Sequence, residues 1–184
     1  IFIGPSADII ARMGIKTEAR KIMREAGLPI VPGTEQPVQG IAEAKKVAAE
    51  VGYPIMLKAL AGGGGKGMRL VRSEEEVEMA LRLSQSEAGT SFGNDAVYIE
   101  KYIENPHHIE VQILGDKYGN VIHLYERECS IQRRNQKVIE ESPSPFVKEE
   151  TRKRMLKVAV EACRKIGYYS AGTLEFMMDK DQNF

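Results

Sequence analysis

The alternation of hydrophobic and polar residues divides the chain into helical and extended segments. Apolar residues recur at helical spacing in four stretches, at 16–27, 41–52, 73–88 and 147–167. The first two stretches run into a glycine, which commonly ends a helix, and the third opens on a serine followed three residues later by glutamate, a capping box. The pattern therefore predicts four amphipathic helices, of which the last is the longest.

The extended segments show period-two alternation or short apolar runs bounded by turn residues, which is typical of strands. The predicted strands cover residues 54–60, 68–72, 96–103, 107–115, 120–130 and 170–179. The turn "DKYGN" between the fourth and the fifth indicates a hairpin. Because strands and helices do not alternate in a regular rhythm, the sequence predicts an α+β or irregular α/β architecture and not a doubly wound parallel sheet.

Composition and charge narrow the classes of function. Basic and acidic side chains number 26 each among 184 residues, so no net charge favours nucleic acid or an anionic membrane as a partner. No apolar run approaches the roughly 20 residues that span a bilayer. Cys129 and Cys163 form neither a disulfide framework nor a CxxC motif, so we expect a reducing, cytoplasmic compartment. We also expect these residues to be a segment of a longer polypeptide.

The densest cluster of glycines, "GGGGKG" at 62–67, lies between two predicted strands. Leu60 and Gly67 stand where a Walker A loop requires glycine and serine or threonine, so that motif fails. The glycines match a dinucleotide-binding fingerprint, but that fingerprint must open a helix, and here a strand follows. The remaining interpretation is a flexible flap whose backbone N–H groups bind a polyphosphate, with an ordinary mobile hairpin as the alternative.

Charged residues interrupt two of the apolar strands near this loop. Lys58 ends the inbound strand, where its ammonium would supply a point charge for phosphate oxygens; a solvated strand position is the alternative. Glu100 and Lys101 interrupt the end of another strand. A carboxylate and backbone groups at that point could bind an adenine edge, or the residues could belong to a solvated edge strand.

Further candidates lie in the second half of the chain. His107 and His108 point to opposite faces of a strand and cannot easily bind one metal; His108, which shares a face with Glu110, is the better candidate for a polar site. The basic and amide residues of 128–141 either line an anion site or form a solvated strand. Glu175 is the one charge within an apolar strand, which fits either a Mg²⁺ ligand or an exposed face.

Five motifs in this order give the chain a recognisable family resemblance. They are "FIGPS", "GYPIMLKALAGGGGKGMRLV", "FGNDAVYIEKYIENPHHIEVQILGD", "ECSIQRRNQKVIEESPSP" and "AGTLEF". Together they resemble the biotin carboxylase subunit or domain of acetyl-CoA, propionyl-CoA and pyruvate carboxylases. The resemblance implies an ATP-grasp fold, and carboxylation of biotin with bicarbonate, using ATP with Mg²⁺ or Mn²⁺ to form carboxyphosphate.

The resemblance also implies roles for individual residues. It implies that Lys137 acts at the bicarbonate and carboxyphosphate site and that Glu175 binds the metal. It implies contacts to ATP from Lys16, Lys58, Gly62, Gly63, Gly64, Gly65, Gly67, Met68, Glu100, Lys101, Tyr102, Ile103, His108, Gln132 and Met177. Asn135 departs from the family pattern, because many members have histidine there, and asparagine can form hydrogen bonds but carries no charge.

The same resemblance implies a domain organisation and a set of partners. Residues 1–30 would end an N-terminal subdomain, 31–103 would form the ATP-grasp lid, and 104–184 would begin the catalytic subdomain. The implied partners are biotin on a carboxyl carrier domain, a carboxyltransferase and a second copy of the full-length subunit, in the cytoplasm, the mitochondrial matrix or a plastid. The segment alone would be catalytically incomplete. Two alternatives stay open: another ATP-grasp ligase, similar to carbamoyl-phosphate synthetase, and a non-catalytic nucleotide-binding module.

Overall fold

The computed structural model describes residues 2–14, 16–60, 67–134 and 136–184. Its helices are α1 (Ala7–Gly14), α2 (Lys16–Ala26), α3 (Ile41–Val51), α4 (Glu74–Phe92) and α5 (Glu149–Lys165). Its strands are β1 (Ile55–Ala59), β2 (Met68–Val71), β3 (Val97–Lys101), β4 (His107–Gly115), β5 (Val121–Arg133), β6 (Gln136–Glu141) and β7 (Ser170–Met178). Every predicted helix and strand is present, and all strand pairs are antiparallel, so the predicted mixed α and β architecture is confirmed.

Two predicted ends fell three or more residues short: strand β5 reaches Arg133 and not residue 130, and helix α4 passes residue 88. Helix α4 continues past residue 88 to Phe92, because Gly89 is accommodated inside the helix and the helix ends only at Gly93. Gly93 has a φ of 69°, the left-handed conformation that commonly terminates a helix and that glycine adopts without steric cost. Helix α1 and strand β6 add to the elements that the pattern predicted.

The chain divides into two compact units, residues 31–103 and residues 1–30 with 104–184. In the first unit, strands β2, β1 and β3 form a three-stranded sheet in that order, and helices α3 and α4 contact it. Alternate residues of β1 enter the core with residues of α4, as the hydrophobic pattern requires. Lys58 lies between two buried positions of β1 and therefore points to the opposite face.

The other edge of β3 is bonded to an extended segment at the start of this unit. The amides of Thr34 and Val38 donate to carbonyls of β3 at 2.8 and 2.9 Å, and the amide of Lys101 donates to the carbonyl of Pro32 at 2.7 Å. Gly33 lies against β3 so closely that a Cβ there would overlap the carbonyl oxygen of Ile99. The extended segment therefore fixes the strand that ends in Glu100 and Lys101.

The second unit contains a four-stranded antiparallel sheet in the order β6-β5-β4-β7. One face of β4 and β7 packs on α5 and α2 through an apolar core that includes Ile109, Val111, Phe176 and Met178. Side chains alternate along a strand, so the intervening residues point away from this core. We call that side the open face; on β4 and β7 it carries His108, Glu110, Gln112, Thr173, Glu175 and Met177. None of the helices in the described ranges has the length and hydropathy of a membrane span.

Candidate functional site

Lys58 and Glu100 form an ion pair between neighbouring strands of the unit 31–103. The register of β1 and β3 places Lys58 opposite Tyr98, and Met56 opposite Glu100, so the two charged residues are diagonal neighbours on one face. The Lys58 ammonium donates to the Glu100 carboxylate, of which only 8% of the side chain is exposed, against 26% for Lys58. Lys58 lies on a regular strand and is bonded to a buried carboxylate, so its ammonium has a fixed position. A cation that binds phosphate needs to be positioned in this way.

The residues that follow Glu100 are anchored to the end of helix α3. The Lys101 ammonium donates to the carbonyls of Gly52 and Tyr53, both at 2.8 Å, and the Tyr102 amide donates to the carbonyl of Pro54 at 3.1 Å. The side chain of Lys101 therefore serves to hold the chain in place. Ile103, the last predicted residue of this group, is half-buried.

The predicted flap lies mostly outside the described residues. Gly62, Gly63, Gly64 and Gly65 fall in the range 61–66, and Lys16 is described only as the first residue of α2. Gly67, at the return of the hairpin, has a φ of 72° and accepts a hydrogen bond from the Ala59 amide at 2.9 Å. A Cβ on Gly67 would lie 2.7 Å from the Cβ of Ala59, so glycine fits this turn for two reasons. Met68, next to it, is 39% exposed.

The open face of the second unit brings several predicted residues together. Strand register pairs His108 with Met177, and Glu110 with Glu175. Lys137 of β6 extends over this face, where its ammonium donates to Glu175 at 2.7 Å and to the second oxygen of Glu110. Gln132 is paired with Lys137 in the β5–β6 register, but its side-chain amide donates to the carbonyl of Cys129 at 2.9 Å. Asn135 lies outside the described residues.

Glu110 is the residue of this cluster that the sequence did not single out. Its side chain is 7% exposed and lies between two cations, Lys137 and Arg127. Arg127 reaches Oε1 of Glu110 with Nη2 at 2.5 Å and with Nε at 2.6 Å. The only available indication was the alternation that puts Glu110 on the same face as His108, since the contact with Arg127 depends on how β4 and β5 are paired.

The surroundings set the charge state of each group on this face. Burial alone would raise the pKa of Glu110, but hydrogen bonds and the charges of Lys137 and Arg127 outweigh it and lower that pKa. Burial alone would lower the pKa of Lys137, and the hydrogen bonds and charges of Glu110 and Glu175 raise it above its usual range. Burial lowers the pKa of His108. At neutral pH, Glu110 and Lys137 are therefore charged and His108 is neutral.

The structure also indicates which of these groups suit a metal ion. Ligand atoms of Glu110, Cys129 and Glu140 lie within 4.8 Å of one another. This group does not fit Mg²⁺, because Glu110 is already neutralised by two cations, and burial together with the charge of Glu110 raises the pKa of Cys129 to about 11. Glu175 fits better, since its only cation partner among the described residues, Lys137, bonds one carboxylate oxygen, and its side chain is 71% exposed on the open face.

The sequence of this chain is similar to a known family and to curated proteins. The family model described as "Carbamoyl-phosphate synthase L chain, ATP binding domain" matches residues 16–184. Biotin carboxylase 1 of Bacillus subtilis is 54% identical over 181 residues, which are 98% of this chain and 40% of that protein. The chain thus spans about two fifths of the length of this curated relative.

Two solved structures resemble the fold closely. The biotin carboxylase of Campylobacter jejuni, described as a complex with β-γ-ATP, has a TM-score of 0.91 and 51% identity over 100% of this chain and 41% of its own. The biotin carboxylase domain dimer of Hydrogenobacter thermophilus 2-oxoglutarate carboxylase, in complex with MgADP, ADP and bicarbonate, has a TM-score of 0.90 and 51% identity, over 99% of this chain and 40% of its own. The ATP-grasp fold expected from the sequence is confirmed by these similarities.

Proposed function

This chain belongs to the family described as the carbamoyl-phosphate synthase L chain, ATP binding domain, and from that premise we propose that it is the ATP-grasp portion of a biotin carboxylase. The protein would use MgATP and bicarbonate to carboxylate biotin. The observation that carries this proposal is similarity along the whole chain, at about half identity, to biotin carboxylases, one of them described with MgADP and bicarbonate. The charged network on the open face supports it, because it holds an ammonium beside an accessible carboxylate.

Residues 31–103 would be the glycine-flap lid, residues 1–30 the end of the preceding subdomain and residues 104–184 the first part of the catalytic subdomain. The division of the chain at Val31 and Ile103 supports this assignment. Within the lid, Lys58 would bind ATP phosphate oxygens and Glu100 would hold Lys58 in place. The remaining nucleotide contacts would come from Lys16, Gly62, Gly63, Gly64, Gly65, Gly67, Met68, Lys101, Tyr102, Ile103, His108, Gln132 and Met177.

Lys137 would act on the substrate anion. A bicarbonate oxygen attacks the γ-phosphorus of ATP, the bond to the bridging oxygen of ADP breaks, and ADP and carboxyphosphate result. Phosphoryl transfer depends on positioning and on neutralisation of charge. The Lys137 ammonium would orient bicarbonate and offset the charge of carboxyphosphate. Glu175 would hold Mg²⁺, which neutralises phosphate charge when bound.

The partners follow from this chemistry. Biotin would arrive on a carboxyl carrier domain, and a carboxyltransferase would pass the carboxyl group on. A homodimer of the full-length subunit is proposed because the 2-oxoglutarate carboxylase relative is described as a dimer. The reaction would take place in the cytoplasm, the mitochondrial matrix or a plastid, compartments compatible with the two free, buried cysteines among the described residues.

A second candidate function has one specific observation in its favour. The description of the family model names carbamoyl-phosphate synthase, which would use an amine where biotin carboxylase uses biotin. Both reactions share the binding of ATP and a carboxyphosphate-type intermediate, so the lid and Lys137 fit either. The proteins quoted above favour biotin as the acceptor.

The experiment is an assay of ADP formation by the full-length protein with MgATP, with and without bicarbonate, biotin and ammonium. We expect ADP formation to require bicarbonate and to be stimulated by free biotin, with labelled bicarbonate recovered in carboxybiotin. Stimulation by ammonium and not by biotin would favour the second candidate. Glu175→Gln should raise the Mg²⁺ concentration that gives half-maximal activity about tenfold, since one ligand loses its charge. Binding of nucleotide without turnover under any condition would favour a non-catalytic module.

A further inference from the structure

Arg127 makes several contacts on the open face, although it has no part in the proposed binding of ATP, metal or bicarbonate. It lies on β5 directly opposite Glu110 of β4. Besides the two contacts with Oε1 of Glu110, its Nη1 donates to Oε1 of Gln112 at 3.0 Å. The side-chain amide of Gln112 donates in turn to the carbonyl of Gly172 on β7 at 3.0 Å. The guanidinium is therefore held by two residues of β4, one of which is tied to the next strand, and its Nε also lies 3.7 Å from a carboxylate oxygen of Glu140 on β6.

These contacts lie largely out of solvent. The side chain of Glu110 is 7% exposed and that of Arg127 is 27% exposed. A buried carboxylate must be compensated by cations or hydrogen-bond donors, and a planar guanidinium bonded through two nitrogens restricts its orientation more than a lysine would. Arg127 therefore determines the orientation of the Glu110 carboxylate.

The orientation of Glu110 determines the position of Lys137. Arg127 occupies Oε1 of Glu110, and Lys137 donates to Oε2. An ammonium has three N–H donors, and two of those on Lys137 are used by Glu110 and Glu175 in the part of the chain that the structure describes. If Arg127 did not share the charge of Glu110, that charge would act on Lys137 alone and would hold it closer to the sheet.

We propose that Arg127 is a positioning residue for the substrate anion: it fixes and partly neutralises Glu110, so that Lys137 stays placed with one N–H available to bicarbonate. The proposal rests on the proposed function, in which Lys137 binds bicarbonate. Arg127 itself touches neither substrate nor nucleotide in this assignment. It acts through Glu110.

The test uses the full-length protein with Arg127→Met, which keeps length and removes charge, and Arg127→Lys, which keeps charge and loses the planar fork. Arg127→Met should raise KM for bicarbonate about tenfold, with KM for ATP changed by less than about twofold. Arg127→Lys should recover part of the loss, because one ammonium cannot serve Glu110 and Gln112 with the same geometry. Arg82→Met, at an exposed position of α4, is the matched control and should leave both constants unchanged.

A parallel rise of both KM values, or no change in either, would show that Arg127 only joins β4 to β5, and would overturn the proposal. A second measurement does not depend on turnover. Amine labelling read by mass spectrometry should modify Lys137 at least about threefold more slowly in Arg127→Met than in the parent, relative to the exposed Lys153. Unchanged or faster labelling of Lys137 would also overturn it. Absence of bicarbonate-dependent turnover in the parent would count against the proposed function alone, and the labelling result would still decide the effect of Arg127 on Lys137.

Discussion

The Lys58 ammonium and the Glu100 carboxylate are joined diagonally across β1 and β3, two positions apart in register. The two residues are not directly opposite each other in the strand register. They can pair because both side chains point to the same face of the sheet. The carboxylate is nearly buried and holds the ammonium at the strand end that leads into the glycine loop. A ligand phosphate would therefore meet a lysine that is already in place.

Replacing Lys58 with Met should weaken binding of ATP by about tenfold or more, because a charge-assisted hydrogen bond to phosphate contributes about 1.5–3 kcal/mol. Calorimetric titration of the full-length protein with ATP measures the change. Lys46→Met, at an exposed position of α3, removes the same charge elsewhere on this unit and should leave the affinity within about twofold. Equal affinity of Lys58→Met and the parent would contradict a phosphate-binding role.

Gly33→Ala should disturb the strand that carries Glu100. A Cβ at this position would overlap the carbonyl oxygen of Ile99 and would lie 2.9 Å from the Cα of Glu100. Backbone must shift to relieve both contacts, so we expect a loss of about 2 kcal/mol in the free energy of unfolding and weaker ATP binding. Urea unfolding followed by circular dichroism, with titration of ATP, measures both.

The matched control is Gly89→Ala in α4 of the same unit. The nearest atom to a Cβ there is the Cβ of Asp95 at 3.8 Å, an ordinary contact. Alanine in a helix interior is favoured over glycine by about 0.5–1 kcal/mol, so this variant should be slightly more stable than the parent. Destabilisation of both variants alike would mean that the close approach of Gly33 to β3 is not the cause.

The hydrophobic pattern was sufficient to predict most of the fold. Apolar and polar residues alternate from His108 to Ile113 in β4 and from Thr173 to Phe176 in β7, so the core and open faces of these parts can be assigned before any coordinates are known. Lys58 and Glu175 were accessible to reasoning because each is a charge in an apolar strand, whereas Lys137 lies in a run of basic and amide residues and its role came only from the family resemblance. A charge in that setting requires a partner or a function.

Pairs formed across strands could not be predicted in the same way. Arg127 meets Glu110 only through the register of β4 and β5, which shifts between Val111 and Ile113. The sequence near Arg127 does not indicate which residue of β4 will lie opposite it. The prediction of where α4 ends was wrong for a related reason. In the local sequence, Gly89 and Gly93 are equally plausible residues at which the helix could end, and the packing of the helix decides between them.

Arg152→Met should cause a large loss of stability in the second unit. The carboxylate of Glu126 is fully buried, and Arg152 donates to it at 2.8 Å and to the carbonyl of Ser144 at 2.9 Å. Removing the cation leaves a buried charge without compensation, which costs about 3–5 kcal/mol in the free energy of unfolding. Lys153→Met, whose side chain is 75% exposed on the same helix, should change that free energy by less than about 0.5 kcal/mol. Similar values for both variants in urea unfolding would contradict this assignment.

The carboxylate of Glu128 on β5 is the centre of a second buried hydrogen-bond network, and its protonation should make the stability of the protein depend on pH in acid. Its carboxylate accepts hydrogen bonds from the hydroxyls of Ser130 and Ser144, the latter at 2.6 Å, and contacts Nδ1 of His107 at 3.2 Å. Burial alone would raise the pKa of Glu128, but these hydrogen bonds outweigh it and lower the pKa. A lowered pKa means that the charged form stabilises the fold. This contribution is complete above the ordinary glutamate pKa and is lost as the pH falls through the lowered value.

Ser144→Ala should therefore destabilise the protein most at neutral pH. The loss should be about 1.5–3 kcal/mol near pH 7, the contribution of a hydrogen bond to a charged group, and should shrink as the pH falls through the lowered pKa of Glu128. Part of the loss should persist in acid, because the amides of Phe146 and Val147 also donate to the Ser144 hydroxyl. Urea unfolding at a series of pH values, from neutral pH down through the lowered pKa of Glu128, measures the difference between variant and parent. Ser91→Ala, at an exposed position near the end of α4, should show a small and constant difference. A difference for Ser144→Ala that stays constant across this range would show that the charge of Glu128 is not what the hydroxyl stabilises.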